Sequence, residues 1–152
     1  MTPWTVRAAL ATLALALAIS VASDLRERLI KNWVTLPALA LVIGLFGAAG
    51  GWPLVQSSLL GIAICAFPLL VAAIPGWVGM GDVKLMAVCG AAAGFPAAVA
   101  VLVLVTVAGG LQAALQLGVA RIRGTGRPIH VPYACSIAAG TVAAFLLGNR
   151  FP

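Results

Sequence analysis

The chain has 152 residues, of which 63% are hydrophobic and only 8% charged, and its mean hydropathy is +1.16. A water-soluble domain of this size cannot carry so apolar a composition. The net charge of +6 does not indicate nucleic-acid binding, because the basic residues are spread over short segments between apolar runs. Composition therefore predicts an all-α, polytopic integral membrane protein whose surroundings are the lipid bilayer.

Four uncharged runs set the expected number of crossings. They extend over Ala8–Ser23, Asn32–Gly81, Leu85–Ala120 and Pro128–Asn149. A helix needs about 20 residues to cross a bilayer, so the first and last runs fit one helix each. The two middle runs are too long for one helix and contain breakers near their centres. We predict about six transmembrane helices that form a single membrane-embedded domain over residues 1–152, with no separate soluble domain.

The first run has two readings. Arg7, the apolar stretch and the small residues Val21-Ala22-Ser23 resemble a cleaved signal peptide. Cleavage there would detach the helix that carries Asp24 into the interface, so we favour a retained membrane anchor.

The second run begins with Asn32, which we predict to cap its helix, and with Trp33, which suits the membrane interface. The glycines and proline of Gly47–Pro53 predict a tight external turn. A third crossing then runs over Leu54–Ile74. The irregular stretch Trp77–Gly81 that follows has to line a cavity, because exposed backbone is not tolerated at membrane depth.

The fourth predicted helix runs from Val83 to Ala93 and ends in a turn at Gly94-Phe95-Pro96. Small residues recur along it at a spacing of three and four, which lets helix backbones approach closely. They are Ala87, Gly90, Ala91 and Gly94. We expect this small-residue face to draw the fourth helix against the first.

The basic residues predict the orientation, because short cytoplasmic loops are enriched in Lys and Arg. Seven of the nine lie in the first, third and fifth loops: Arg26, Arg28, Lys31, Lys84, Arg121, Arg123 and Arg127. Arg7 and Arg150 lie on the other side. Both termini are therefore predicted to face away from the cytoplasm.

The chain holds only three acidic residues, Asp24, Glu27 and Asp82. On the predicted topology Asp24 closes the first crossing and Asp82 opens the fourth, so both lie on the cytoplasmic side and can meet. Two carboxylates in a poorly hydrated site cannot easily both ionise, so one keeps a proton while the other activates water. This is the requirement of an aspartic protease. Glu27 is expected to be a solvated loop residue.

The residues around Asp82 have expected roles of their own. Gly79 and Gly81 are predicted to admit a substrate strand or a neighbouring helix close to the carboxylate and to allow unusual backbone angles. Lys84 lies two positions beyond Asp82, where side chains diverge on a helix, so no salt bridge between them is expected. We expect Lys84 to reach the interface or lipid phosphates.

Other readings of the polar residues remain open. Asp24 alone could be neutralised by Arg26 or Arg28, and two membrane aspartates could relay ions in a small transporter. A non-catalytic assembly factor that uses its glycine-rich faces is a third possibility. The single histidine, His130, is expected in an interfacial loop. Cys65, Cys89 and Cys135 lie singly in apolar runs and predict packing residues, with neither a disulfide framework nor a metal site.

Three segments resemble the type IV prepilin peptidases, the A24 group of aspartic proteases. Gly79–Leu85 is similar to the family's GxGDxKL signature, and Asp24–Thr35 is similar to its first-aspartate segment. Pro132-Tyr133 followed by Ile137–Gly140 resembles its last helix. Two departures stand out: Lys31 replaces the usual proline before Asn32, and Ala134-Cys135 replace a pair that often contains glycine.

The resemblance implies that Asp24 and Asp82 are the catalytic pair, with Gly79 and Gly81 supporting the second aspartate and with Lys84, Asn32 and Pro132 as further substrate-binding or motif-support positions. It also implies a substrate, the short basic leader of a prepilin or pseudopilin, and a place in the bacterial inner membrane, with no cofactor. Larger bifunctional members N-methylate the product through an additional domain with paired cysteines. This chain resembles the short members that serve tight-adherence (Flp) pili.

Overall fold

The computed structural model describes residues 3–123 and 133–148. In these ranges the chain forms helices and no strand, which confirms the predicted all-α class. The helices are α1 (Pro3–Glu27), α2 (Asn32–Ala73), α3 (Met80–Ala93), α4 (Ala97–Ile122) and α5 (Tyr133–Leu147). α1, α2 and α4 are long and apolar enough to cross a bilayer. The chain is therefore an all-α membrane protein.

The longest helix, α2, contains one non-helical residue, Gly51, with φ 65° and ψ −151°. Glycine adopts a positive φ without the steric penalty of a side chain. Before Gly51, α2 runs beside α3 in the same direction. Asn32 contacts Lys84 near the beginning of α3, and Phe46 lies beside Ala92 near its end.

After Gly51 the direction of α2 relative to α3 is reversed. Ser57 is hydrogen-bonded to Phe95, just beyond the end of α3, and the later residue Gly61 packs against Gly90, further back along α3. The two halves of α2 are therefore antiparallel and form a helical hairpin.

This hairpin refines the predicted order of crossings. The turn expected over Gly47–Pro53 is present as a reversal at Gly51 alone, with helix on both sides. The crossing expected over Leu54–Ile74 ends as predicted, because α2 ends at Ala73. In the described part of the chain the second and third predicted crossings are the two antiparallel halves of α2, so the five helices comprise six helical segments, in agreement with the predicted number.

The centre of the bundle is α3, in which Val83 and all residues from Leu85 to Ala93 are buried. With 14 residues it is shorter than a full crossing. α3 ends at Ala93 with Gly94 as its C-cap, and α4 begins at Ala97, which confirms the predicted turn at Gly94-Phe95-Pro96. α3 is therefore enclosed by its neighbours rather than exposed to lipid.

The small residues of α3 do allow a close helix contact, but not with the predicted partner. A Cβ atom on Gly90 would collide with the backbone of Gly61 in the second half of α2, and one on Gly61 would collide with Gly90. The close approach is therefore between α3 and α2, and the expectation that it draws α3 against α1 was wrong. α1 instead packs through Ala9, Leu13 and Leu17, as an integral helix of the bundle.

The connections place the polar residues at one end of this bundle. The end of α1, the beginning of α3 and the beginning of α5 meet there, since Asp24 is hydrogen-bonded to Ala134 of α5 and lines one cavity with the segment that opens α3. The opposite end gathers the beginning of α1, the reversal in α2 and the turn at Gly94. All four tryptophans, Trp4, Trp33, Trp52 and Trp77, are exposed near helix ends or the reversal, as expected for interfacial residues.

Candidate active site

A cavity of about 240 Å³ opens at the polar end of the bundle, between the end of α1 and the beginning of α3. One wall is the α1 end with the loop that follows it, and the other is the segment that opens α3. The lining residues are Asp24, Arg28, Leu29, Ile30, Gly79, Met80, Gly81 and Asp82. The fold thus brings together the two aspartates that the sequence singled out.

Asp82 lies in the first turn of α3, three residues after the N-cap Gly79. Its carboxylate accepts a hydrogen bond from the Gly79 backbone N–H, which is how an acidic residue at this position usually closes a helix N-terminus. Asp82 lies outside the three membrane-length helices and is half-buried. Burial, and then the negative charge of Asp24, raise the pKa of Asp82 from 3.8 to about 6.

Asp24 lies three residues before the end of α1 and is half-buried. Its Oδ2 accepts a hydrogen bond of 3.2 Å from the backbone N–H of Ala134, in the first turn of α5. The N-terminus of a helix carries partial positive charge, which complements a negative carboxylate. Cys135 also lies close enough to Asp24 to interact electrostatically with its carboxylate. The sequence analysis did not anticipate this contribution of α5, although the Pro132-Tyr133 pattern marked the segment.

The alternative in which Asp24 is neutralised by Arg26 or Arg28 has no ion pair to support it. Within residues 3–123 and 133–148 the one salt bridge joins Lys31 Nζ to Glu27 Oε1, at 2.9 Å. Glu27 is exposed, as predicted, and uses this partner one helical turn away. Asp24 thus faces the cavity with no paired cation among the residues that the structure describes.

The two motif glycines are needed for space rather than for backbone freedom. A Cβ atom on Gly79 would lie 3.2 Å from Asp82 Oδ2, and one on Gly81 would lie 2.8 Å from the Ile30 Cβ atom. Gly79 has φ −73°, and neither glycine has a positive φ. The expectation of unusual backbone angles was therefore wrong. Gly79 leaves room for the carboxylate, and Gly81 leaves room for the α1–α2 loop.

Asn32 and Lys84 form a contact that the sequence analysis did not foresee. The N-cap of α2 is Lys31, which makes no side-chain capping bond, so the prediction that Asn32 caps this helix was wrong. Instead Asn32 Oδ1 accepts a hydrogen bond of 2.9 Å from Lys84 Nζ. Lys84 therefore binds the beginning of α2, and it makes no salt bridge with Asp82, as expected.

Arg28 is a further cavity residue that sequence reasoning missed. It has φ 53°, a left-handed conformation that non-glycine residues rarely adopt. Arginine gives no signal for this conformation, in contrast to glycine or asparagine. The turn at Arg28 directs the chain from the end of α1 into the loop that lines the cavity.

The remaining candidates lie away from the cavity or outside the described residues. Cys65 and Cys89 are buried, in agreement with a packing role. Residues 3–123 and 133–148 contain no group of three or more side chains suited to hold a metal ion. Pro132 and His130 fall outside the described ranges.

The structure is that of a membrane protein with a buried central helix, α3. Asp24 and Asp82 form a candidate acid–base site at one end of the bundle. A model of the type IV leader peptidase family matches residues 11–114, which include both aspartates and the segment that opens α3. The chain belongs to this family of membrane peptidases. The match ends within α4, so it does not extend to the resemblance seen in the last helix. No curated protein and no solved structure matches the chain significantly.

Proposed function

We propose that this protein is an aspartic endopeptidase that removes the leader of prepilins or pseudopilins, with Asp24 and Asp82 as the catalytic pair. The observation that supports it most directly is that both carboxylates line one cavity at the bundle end. Family membership supports a leader peptidase in general, and the paired acids supply a mechanism for it. Neither a cofactor nor a metal ion takes part in the proposed reaction.

The surroundings of the two acids give each a distinct role. Asp82, with its pKa raised to about 6, holds the proton of the pair more readily than an ordinary carboxyl. Asp24 receives the Ala134 N–H, which complements its negative charge. In the proposed step Asp24 takes a proton from water while Asp82 polarises the scissile carbonyl and then protonates the leaving amine.

The position of the cavity fits a peptide bond at the boundary of an apolar helix. Asp24 lies in the last turn of the long apolar helix α1, and the cavity opens among Arg28, Gly79 and Met80 at the helix ends. A prepilin has its short basic leader next to its own apolar helix, so its scissile bond lies at the same depth. We place this site at the cytoplasmic face of the bacterial inner membrane, with both termini outside, and propose tight-adherence (Flp) pilins as substrates.

The ion-transport alternative is less well supported. A conducting path requires polar groups through the bilayer, whereas α3 beyond Asp82 is buried and mainly apolar from Leu85 to Ala93. The cavity at the opposite end, near Phe46, is only about 20 Å³. A purely structural assembly factor would not require two acids that face one cavity.

The test is to replace each aspartate by asparagine, which keeps the shape and removes the titratable group. Membranes that lack any other prepilin peptidase would be incubated with a candidate prepilin, and the mass of the product measured. We expect Asp24→Asn and Asp82→Asn each to lower the cleavage rate at least about 100-fold. The double variant should be no slower than either, because groups that act as a unit give non-additive losses.

Glu27→Gln is the matched control, since it removes the third acid of the chain near the same end of the bundle. It should cleave within about twofold of the parent, because an exposed ion pair contributes little. Near-normal cleavage by either asparagine variant would show that the pair is not catalytic.

A further inference from the structure

The α1–α2 loop, residues 28–31, forms one wall of the carboxylate cavity, and the loop and the first residue of α2 each contact α3 near its beginning. Ile30 is buried against Gly81, where a Cβ atom would lie only 2.8 Å from the Ile30 Cβ atom. Immediately after the loop, Asn32 accepts the 2.9 Å hydrogen bond from Lys84. The two contacts flank Asp82 in sequence, one residue before it and two after it.

We infer that the Lys84–Asn32 hydrogen bond is a clamp that holds the loop against α3 and thereby sets Asp82 opposite Asp24. This inference rests on the proposed function, for which Lys84 and Asn32 would be positioning residues rather than catalytic ones. Neither side chain lines the cavity, so both act through the backbone that carries Asp82 and through the loop wall.

The ion pair that the loop makes cannot hold the loop against α3. The Lys31–Glu27 ion pair joins the beginning of α2 to the end of α1 and does not reach α3. In the described part of the chain, the side-chain hydrogen bond that ties this junction to α3 is the one between Lys84 and Asn32. Without this hydrogen bond, the packing of Ile30 against Gly81 would be the contact that holds the loop beside Asp82.

The pairing of Lys84 with Asn32 rather than with Asp82 also affects the protonation of Asp82. An ammonium group paired directly with Asp82 would favour its ionised form and oppose a shared proton. Asn32 supplies a neutral acceptor, and Lys84 lies two residues beyond Asp82, where the side chains diverge. The lysine thus fastens the helix terminus while its charge is directed away from the carboxylate pair.

The clamp would be tested with Lys84→Met, Asn32→Ala and the double variant, assayed on purified full-length enzyme with prepilin as substrate. We expect kcat to fall about 10-fold in each single variant with KM within about twofold, because misplaced catalytic groups slow the reaction without weakening binding. The double variant should match the singles, since both remove the same bond. Lys84→Arg can still donate to Asn32 and should retain most of the activity.

A second measurement reports on the site without using cleavage. A hydrophobic carbodiimide reacts with protonated carboxyl groups, so the pH dependence of Asp82 labelling, located by mass spectrometry, gives its titration midpoint. Among the described residues, the groups that face Asp82 are Asp24 from α1, Arg28 from the loop and the Gly79 N–H. Opening the clamp admits water to the cavity, so we expect the midpoint to fall in Lys84→Met and in Asn32→Ala.

Arg26→Met is the matched control, because it removes an exposed positive charge at the same end of the bundle without touching the loop contacts. It should change neither kcat nor the midpoint. Unchanged kcat and midpoint in both clamp variants, or additive losses in the double variant, would overturn the clamp. Asp24→Asn, assayed alongside, separates the clamp from the proposed function. If this variant still cleaves prepilin, the proposed function is wrong. The labelling midpoint of Asp82 in the clamp variants still tests the clamp in that case.

Discussion

The two ends of α3 differ in how their glycines are used. At the C-terminal end Gly90 packs directly on the backbone of Gly61, and the nearest cavity is about 20 Å³. At the N-terminal end Gly79 and Gly81 border an open cavity of about 240 Å³. Glycine thus allows close helix packing at the C-terminal end of α3 and leaves space for the carboxylate cavity at the N-terminal end. A close-packed end can anchor the helix while the opposite end remains open.

The largest effect is expected where the backbones touch. Gly90→Ala places a Cβ atom against the Gly61 backbone and 2.9 Å from Cys65 Cβ, and neither neighbour is a flexible side-chain end. We expect a loss of about 1–3 kcal/mol of unfolding free energy, as for other overpacked sites. Denaturation of purified protein in detergent micelles would measure it.

Gly110→Ala is the control for this experiment. Gly110 also lies within a helix, but a Cβ atom there would meet nothing within 4 Å. Alanine is the better helix former, so this variant should be neutral or more stable by up to about 1 kcal/mol. Equal stability of the Gly90 and Gly110 variants would contradict the close packing of Gly90 against Gly61 at the C-terminal end of α3.

A smaller effect, on activity, is expected at the open end. In Gly81→Ala the new Cβ atom would collide with the Cβ atom of Ile30. Because the Ile30 Cβ atom is attached directly to the backbone, the loop has to move, and the cleavage rate should fall about 10-fold. Gly79→Ala meets Asp82 Oδ2 at 3.2 Å, which the side chain can relieve by moving a few tenths of an ångström. Its cleavage rate should fall only about threefold. Both variants should lose less stability than Gly90→Ala, and the reverse order in either measurement would count against the comparison.

The smallest effect concerns the titration of Asp82. Burial is the main cause of its raised pKa and the charge of Asp24 the second, so Asp24→Asn should lower the pKa from about 6 without restoring 3.8. Carbodiimide labelling of Asp82 should therefore decline at lower pH in this variant. In the parent enzyme, kcat/KM should decrease as pH rises above about 6, because the protonated acid of the free enzyme is then lost. A labelling midpoint that does not move would show that the two carboxylates are too far apart to interact.

The sequence predicted those features that depend on scarce residue types. With three acidic residues in the chain, the positions of Asp24 and Asp82 at the ends of apolar runs were conspicuous. Glycine and proline are not scarce in the chain, but they marked the reversal near Gly51 and the turn at Gly94 because both residue types interrupt helices. These signals are local, and they required no knowledge of which helices become neighbours.

The features that were missed depend on long-range packing. The close partner of Gly90 turned out to be Gly61 of α2 rather than α1, because small residues indicate that a neighbour approaches without identifying it. Lys84 and Asn32 each have several plausible partners when considered alone. The left-handed conformation of Arg28 is imposed by the chain on either side and leaves no trace in its residue type.

The hydrogen bond from Ala134 to Asp24 joins residues 110 positions apart, and this separation has a consequence for biosynthesis. The ribosome produces Asp24 early, and the helix that donates to its carboxylate emerges more than a hundred residues later. During the interval Asp82 is already made, but the pair lacks the donor that complements Asp24. The hydrogen bond to the Asp24 carboxylate therefore forms only after α5 has been made, although the residues that line the cavity all precede α5.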